Sequence, residues 1–160
     1  MGGSVKIEEG KREDLPQVLK LIHELAAYVG HAEEVDNSVE QMEIDGFGDN
    51  SIYGLFVARR GADVIGAAIY YYRYSTWKGK RLYLEDLVIT NAERGKGIGK
   101  LLFEATLKKS LSENCSGMMW QVVKDNHLAI NFYRKYDSNF DQDFMNCSLE
   151  VAQIKELLNS

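Results

Sequence analysis

The feature that most constrains this chain is a run of alternating glycines, Arg94-Gly95-Lys96-Gly97-Ile98-Gly99, which joins a strand-like segment to an amphipathic helix. The segment before it, Leu82 to Ile89, has strand character. Glycines at such a junction leave backbone N–H groups uncovered at a helix N-terminus, where an anion binds well. The run therefore predicts a phosphate loop, the alternative being an ordinary glycine-rich turn that caps a surface helix. The predicted apolar stripe of the helix is Ile98, Leu101, Leu102 and Ala105.

The spacing excludes two other phosphate loops. A Walker loop fails because Arg94 stands where its first glycine belongs and Leu101 where its hydroxyl belongs. A dinucleotide fingerprint fails because Gly99 comes one residue too early. The pattern Arg-x-x-Gly-x-Gly instead resembles the pyrophosphate loop of the GCN5-related N-acetyltransferase (GNAT) superfamily, which uses acetyl-coenzyme A. This resemblance implies that the cofactor is bound by Arg94, Gly95, Lys96, Gly97, Ile98, Gly99 and Lys100.

Size and composition favour a single globular domain over residues 1–160. The chain has 160 residues, 45% hydrophobic and 27% charged, enough to bury about 70% of the surface that the unfolded chain exposes. Cys115 and Cys147 form no disulfide framework, which predicts a cytoplasmic protein, and no apolar run is long enough for a membrane span. The net charge of −5 argues against nucleic-acid binding, and the three histidines show no metal spacing.

Hydrophobic periodicity and turn residues predict the order of elements. A strand at Val5 to Glu8 precedes a helix from Leu15 towards Gly30, and a second helix begins at Ser38 with a capping box to Gln41. The remaining predicted elements are a hairpin of residues 55–59 and 64–74, a strand at 80–89, the glycine loop with its helix, a strand at 118–123, a helix at 126–136, a strand at 143–149 and a terminal helix at 151–158.

This order is similar to the GNAT fold over essentially the whole chain. The resemblance implies an α/β fold with a mixed, mostly antiparallel central sheet, splayed middle strands and helices on both faces. In that family the pantetheine arm of acetyl-coenzyme A lies in the gap between the splayed strands. The backbone groups that would pair with it belong to Leu87, Val88 and Ile89.

A second motif supports the same family. Residues 126–133, Asn-His-Leu-Ala-Ile-Asn-Phe-Tyr, resemble the Asn-x-x-Ala-x-x-x-Tyr helix start of the superfamily. Asn126 is a good N-cap, and Tyr133 falls near the same helix face seven residues on. The alternative is a capped helix with a core tyrosine. The family usually has a glycine after this helix, where this chain has Asp137, a residue that tolerates the left-handed conformation. The resemblance adds Asn126, His127, Leu128, Ala129 and Tyr133 to the cofactor site.

Acetyl transfer to an amine needs a base for the ammonium proton and an acid for the departing thiolate. Tyr133 is the candidate acid. Glu85 is the candidate base, because a carboxylate inside an apolar central strand is costly unless it is used or paired, and burial would raise its pKa. The alternative is that Glu85 and Asp86 lie on a solvated edge or form a salt bridge.

Within the superfamily the chain resembles the spermidine/spermine acetyltransferase branch. The segments that carry this resemblance are 45–48, 70–74, 77–80, 83–86, 94–99 and 130–133. The branch implies that Glu85 takes part in deprotonation and Tyr133 acts as acid. It also implies an acceptor channel lined by Tyr28, Trp77, Glu85, Asp86, Met119, Trp120 and Gln121, although simple packing is an alternative role for Trp77.

The resemblance also ranks the acceptors. Polyamine enzymes of the branch have Asp-Pro-Trp before Gly-Lys, whereas this chain has Ser75-Thr76-Trp77, similar to the thialysine acetyltransferase group, also called diamine acetyltransferase two. It therefore predicts acetyl transfer to a small amine such as thialysine, a lysine-like amino acid or a small diamine, in a homodimer. Polyamine acetylation, protein-lysine acetylation and non-catalytic coenzyme A binding remain alternatives. Closure of a loop at Glu33 and Glu34 over the substrate is left open.

Overall fold

The structure is a computed structural model that describes residues 3–159. The chain divides into two compact units, Met1–Val123 and Lys124–Ser160. The first unit holds five strands and three α-helices, in the order β1 (Lys6–Glu9), α1 (Leu15–Tyr28), α2 (Val39–Phe47), β2 (Gly54–Arg60), β3 (Asp63–Ser75), β4 (Gly79–Ile89), α3 (Ile98–Ser112) and β5 (Met118–Trp120). Each of these elements was predicted from the sequence, with bounds that shift by a few residues.

The five strands form one mixed sheet in the order β1-β2-β3-β4-β5. The first four strands pair antiparallel, and β5 runs parallel to β4. The β4–β5 pairing covers only Leu82↔Met118, Tyr83↔Met119 and Leu84↔Trp120. β4 continues to Ile89 beyond this short ladder, and Asp86 to Ile89 pair with β3 alone. This loss of pairing lies where the family resemblance implied that the strands on either side of the glycine loop and its helix splay apart.

Helices cover both faces of the sheet. Leu15, Val18 and Leu21 of α1 pack with Val57, Ala67 and Val88 in one continuous core. Gly66, next to Ala67 on β3, faces the opposite side, where a Cβ would lie 3.1 Å from the Leu102 side chain of α3. On that face Phe103 packs edge-on against Trp120, with ring centroids 5.2 Å apart.

The predicted apolar stripe of α3 is wrong at Leu101, which is 45% exposed. Phe103 and Thr106 share the buried face of the helix with Ile98 and Leu102 instead.

Two caps predicted from the sequence are present. The Ser38 hydroxyl accepts a hydrogen bond from the Gln41 N–H at 3.1 Å, which fixes the start of α2. The other half of the predicted capping box is missing, because the Gln41 side chain donates to Asp45 and the Ser38 N–H donates to the Asn37 side chain. In the second unit, the Asn126 side chain accepts from the Ala129 N–H at 3.2 Å and caps helix α4 (His127–Arg134). Asp137 adopts the left-handed conformation after this helix, with φ of 53°, as expected for the residue that replaces the family glycine.

The predicted strand at 143–149 is wrong. Residues 143–149 form no strand, and the second unit contains helices α4 and α5 (Val151–Asn159) as its regular elements among the described residues. Phe144 and Met145 gave the segment its apolar character, and both are exposed. A strand needs a neighbour to satisfy its backbone N–H and C=O groups, and residues 124–159 offer none.

Candidate active site

The loop between β4 and α3 is built around two left-handed glycines. Gly95 and Gly97 have φ of 75° and 80°. No heavy atom lies within 4 Å of a Cβ placed on either residue, so the space in front of the loop is open. A side chain there would strain the backbone and fill that space. The alternation of glycines in the sequence is therefore explained by both conformation and access.

The start of α3 presents backbone donors to this space. The first i→i−4 hydrogen bond of the helix runs from the Leu101 N–H to the Gly97 carbonyl at 3.3 Å. The N–H groups of Ile98, Gly99 and Lys100 come before that bond and have no intrahelical acceptor. Together with the positive end of the helix dipole, they form an environment that suits a phosphate.

Arg94 has a structural role in the loop that the sequence did not predict. Its Nε donates to the Ile89 carbonyl at 3.2 Å, and its guanidinium carbon lies 4.3 Å from the centroid of the Tyr28 ring. These contacts tie the loop to the end of β4 and to the end of α1. They also occupy the Ile89 carbonyl. The Thr90 N–H donates to the Ile65 carbonyl, so by the alternation of the antiparallel ladder Val88 directs its backbone groups at Ala67 of β3. The prediction that Val88 pairs with a ligand is therefore wrong, and Leu87 is the better candidate along the free edge of β4.

Two buried or half-buried carboxylates hold the same loop. Glu24 of α1 accepts from the Thr90 hydroxyl at 3.1 Å and from the Asn91 N–H at 3.3 Å. Glu93 accepts from Arg60 at 2.6 Å and from Lys96 at 3.1 Å, and its pKa is lowered, chiefly by the hydrogen bond from Arg60. Neither residue was singled out from the sequence, because a glutamate in a helix or loop carries no motif of its own.

Glu85 occupies a β-bulge in the middle of β4. Leu84 pairs with Tyr70 and Asp86 pairs with Ile69, so Glu85 is the extra residue between two consecutive partners on β3. A β-bulge changes the direction of the side chains next to it, and here the Glu85 side chain is exposed to solvent. The prediction that Glu85 is buried is therefore wrong, since the residue is exposed. Strand periodicity could not reveal this, because the bulge resets the alternation.

Asp86, the residue after the bulge, is largely buried and has a perturbed carboxyl group. Burial, and then the neighbouring Glu85 carboxylate, raise the pKa of Asp86 to about 6. On the same sheet face, Tyr71 and Tyr83 are directly opposite each other, with ring centroids 5.1 Å apart. Burial, and then the charge of Glu85, raise the pKa of both phenols. Two carboxylates beside two aromatic rings suit a cationic amine. Neither Tyr71 nor Tyr83 was predicted as a site residue, because tyrosines in strand-like segments are also typical of the core of a sheet.

The raised pKa of Asp86 predicts a pH-dependent effect on stability. The folded protein holds the Asp86 proton more tightly than the unfolded chain does, so this carboxyl costs stability as the pH rises from about 4 to about 6. We expect Asp86→Asn to raise the free energy of unfolding by about 1–3 kcal/mol at pH 8 and to have little effect at pH 4. Urea unfolding at both pH values measures this, with Asp49→Asn, the same replacement at an exposed position, as the control. An Asp86→Asn protein that is less stable than wild type at pH 8 would contradict the assignment.

The other residues predicted for the acceptor channel lie in several places. Tyr28 is half-exposed beneath Arg94. Trp77 is 84% exposed in the turn between β3 and β4. This turn leads into Gly79, the first residue of β4, which is six residues, or about 20 Å, from Glu85 along the strand. Trp77 is therefore remote from Glu85 of the same chain. Met119 pairs beside Tyr83, Trp120 packs on α3, and Gln121 is exposed just after β5.

The candidate acid belongs to α4 in the second unit. Tyr133 is 7% exposed, and its ring packs edge-on against Phe132 at 5.2 Å. Its carbonyl accepts from the Ser138 hydroxyl at 2.8 Å, which closes the turn after the helix. The capped helix start places His127, Leu128 and Ala129 in its first turn. Tyr133 as acid and these residues as cofactor ligands stay predictions.

Within residues 3–159, no group of three or more His, Cys, Asp and Glu side chains is arranged to hold a metal ion. None of the helices in this part of the chain combines the length and apolar character needed to cross a bilayer.

Comparison with known proteins identifies the class. The Acetyltransferase (GNAT) family model matches residues 17–137, and the chain belongs to this family. GNAT enzymes use acetyl-coenzyme A as co-substrate, so the predicted donor and the predicted N-acetyltransferase class are confirmed.

The relatives define the branch. The chain is 36% identical over 138 residues to the thialysine N-ε-acetyltransferase of Bos taurus, with 81% of each chain covered, and 32% identical over 139 residues to that of Mus musculus, with 82% of each covered. It is 33% identical over 135 residues to the human spermidine/spermine N(1)-acetyltransferase-like protein 1, covering 80% of this chain and 19% of that protein. The predicted branch is confirmed.

Solved structures support the fold. An integron cassette protein from V. cholerae matches with a TM-score of 0.78 and 22% identity, covering 99% of this chain and 100% of that one. An aminoglycoside acetyltransferase from an uncultured soil metagenomic sample matches with a TM-score of 0.74 and 21% identity, covering 92% and 96%. At this identity the likeness concerns the fold alone, and the predicted α/β class is confirmed.

Proposed function

We propose that this chain acetylates the side-chain amine of a lysine-like amino acid, with thialysine ranked first, and uses the whole of residues 1–160 as one catalytic domain. The observation that carries the proposal is the bulge of β4, which sets the Glu85 carboxylate beside Asp86 and the paired rings of Tyr71 and Tyr83. This cluster lies where β4 loses β5 as a partner. The thialysine acetyltransferases that the chain resembles support the choice of acceptor.

The residues of the β4–α3 loop fit acetyl-coenzyme A. Its diphosphate would be held by backbone N–H groups of residues 95–100, in the open space that Gly95 and Gly97 maintain. Lys96 and Lys100 add positive charge near it, and Leu87 offers backbone groups for the pantetheine arm along the free edge of β4. When bound, the co-substrate supplies an acetyl group activated as a thioester.

Glu85 is the proposed base. A side-chain ammonium has a pKa near 10 and cannot attack until its proton is removed. The exposed Glu85 carboxylate accepts that proton through a water molecule, and Asp86, with its pKa raised to about 6, stabilises the ammonium before the transfer. Tyr133 is the proposed acid that protonates the departing thiolate.

If Glu85 is the base, replacing Glu85 with glutamine and replacing its neighbour Asp86 with asparagine should lower activity by different amounts. We expect Glu85→Gln to lower kcat/KM by about 100-fold, the usual scale of a lost general base, and Asp86→Asn to lower it less. Rates of thiol release from acetyl-coenzyme A, measured from pH 5 to pH 9, test this. If Asp86→Asn shows the larger loss and also removes a limb of the pH profile near pH 6, the proton goes to Asp86 instead.

An acceptor panel tests the proposed function. Thiol release is measured with thialysine, lysine, spermidine, short diamines and a lysine-containing peptide, and the free amino acids are expected to give the highest kcat/KM. A preference for spermidine would favour polyamine acetylation, which the human spermidine/spermine-like relative also suggests. A preference for the peptide would favour protein acetylation. Coenzyme A binding without turnover of any amine would favour a non-catalytic binding module.

We also propose a cytoplasmic homodimer. The free cysteines and the family resemblance support this, as do the exposed aromatic side chains of Tyr72, Tyr74 and Trp77 on the β3–β4 hairpin. Such side chains are enriched at subunit interfaces. Sedimentation velocity would distinguish a dimer from a monomer.

A further inference from the structure

The β3–β4 hairpin carries two arginines that no carboxylate among the described residues neutralises. Arg73 on β3 and Arg81 on β4 are directly opposite each other in the register. Within residues 3–159, neither guanidinium forms an ion pair. Like charges at directly opposite positions destabilise a sheet, and the described residues supply no counter-charge for this pair.

Both arginines also have unused hydrogen-bond donors. Arg81 donates from Nη2 to the Met118 carbonyl at 3.3 Å, but its buried Nε has no partner in the described chain. Arg73 is exposed, and its guanidinium carbon lies 5.8 Å from the centroid of the Tyr83 ring. A planar guanidinium with free donors is well suited to bind a carboxylate through two parallel hydrogen bonds.

The two arginines lie on the same sheet face as the proposed amine site, and this position indicates a role in binding the acceptor. Arg73 and Arg81 share a sheet face with the Tyr71–Tyr83 pair, two residues, or about 7 Å, along the strands. Glu85 is two residues beyond Tyr83 on the other side. The charges of Glu85 and Arg73 both act on the two phenols, the first raising and the second lowering their pKa. The face is therefore dipolar, with carboxylates at one end, guanidiniums at the other and aromatic rings between.

We propose that Arg73, with Arg81 beside it, binds the α-carboxylate of the amino-acid acceptor while Glu85 and Asp86 receive its side-chain amine. This inference rests on the proposed function and deepens it by naming the residues that select amino acids over diamines and polyamines. A diamine would bring a second ammonium towards two guanidiniums, and the repulsion would reject it.

Lysine and cadaverine form a matched pair for the test, because cadaverine is lysine without its carboxylate. We expect wild type to show a higher kcat/KM for lysine, and Arg73→Leu to lower the lysine-to-cadaverine ratio by about 10- to 100-fold, the scale of a lost charge-assisted hydrogen bond. Arg73→Lys keeps the positive charge but loses the two parallel donors of the guanidinium, so its lysine-to-cadaverine ratio should lie between those of Arg73→Leu and wild type. Lys108→Leu removes an exposed positive charge on α3 and should leave the ratio as in wild type.

The outcomes separate this inference from the proposed function. A wild-type enzyme that uses cadaverine as well as lysine, or a ratio that Arg73→Leu does not change, would overturn the role of Arg73 while acetyl transfer stands. If no amine is turned over, the proposed function fails. Calorimetry still decides the inference in that case, because lysine binding about 10-fold weaker in Arg73→Leu than in Lys108→Leu supports it and equal binding refutes it.

Discussion

Replacing Gly97 with alanine is expected to weaken acetyl-coenzyme A binding by about 100-fold, the loss expected when two charge-assisted hydrogen bonds are disturbed. Gly97 has φ of 80° and caps α3, and a Cβ placed on it meets nothing within 4 Å. The new methyl group would fill the space where the diphosphate approaches the backbone donors. Isothermal titration calorimetry with acetyl-coenzyme A measures the effect.

Gly61 provides the matched control for this variant. It lies in the turn between β2 and β3 with φ of 59°, and a Cβ placed on it also meets nothing within 4 Å. Alanine at either position costs about 1–2 kcal/mol of stability through the left-handed backbone. We therefore expect both variants to unfold at similarly lowered temperatures, whereas only Gly97→Ala loses affinity. Equal affinities in the two variants would mean that the loop does not hold the diphosphate.

Tyr133→Phe is expected to lower kcat by about 100- to 1000-fold, the range seen when a general acid is removed. The variant lacks only a hydroxyl group, and the ring packing with Phe132 is retained. If the hydroxyl protonates the leaving thiolate, kcat should fall while the affinity for acetyl-coenzyme A changes little. Stopped-flow measurement of thiol release at saturating substrates tests this.

Tyr74→Phe is the control for the loss of a tyrosine hydroxyl, because Tyr74 is 77% exposed on the β3–β4 hairpin. Its turnover should match wild type. A Tyr133→Phe enzyme with wild-type kcat would show that water or another group protonates the thiolate, and Tyr133 would then be a packing residue of α4.

The sequence predicted the parts of this protein that depend on local patterns. Asp137 indicated left-handed backbone after α4, and Ser38 and Asn126 indicated helix caps, because each of these residues acts within one turn of the chain. The GNAT family was predicted from the same motifs and is confirmed by the match over residues 17–137. Local patterns were thus sufficient for the caps and for the fold class, while binding of the cofactor by the β4–α3 loop stays a prediction.

The parts that the sequence missed depend on register between strands. The bulge that exposes Glu85 exists only in the pairing of β4 with β3, so the apolar neighbours of Glu85 along the strand suggested burial instead. The opposition of Tyr71 to Tyr83 and of Arg73 to Arg81 also requires the register. The failed strand at 143–149 has the same origin, because a segment of strand-like composition forms a strand only beside a partner.

The most direct test of the central claim is the position of the acetyl group in the product. Thialysine and acetyl-coenzyme A are incubated with the enzyme, and the product is examined by NMR spectroscopy. The account predicts a single product acetylated on the side-chain nitrogen, formed at a rate that Glu85→Gln lowers. Acetylation of the α-nitrogen, or no acetylated product although coenzyme A binds, would contradict it.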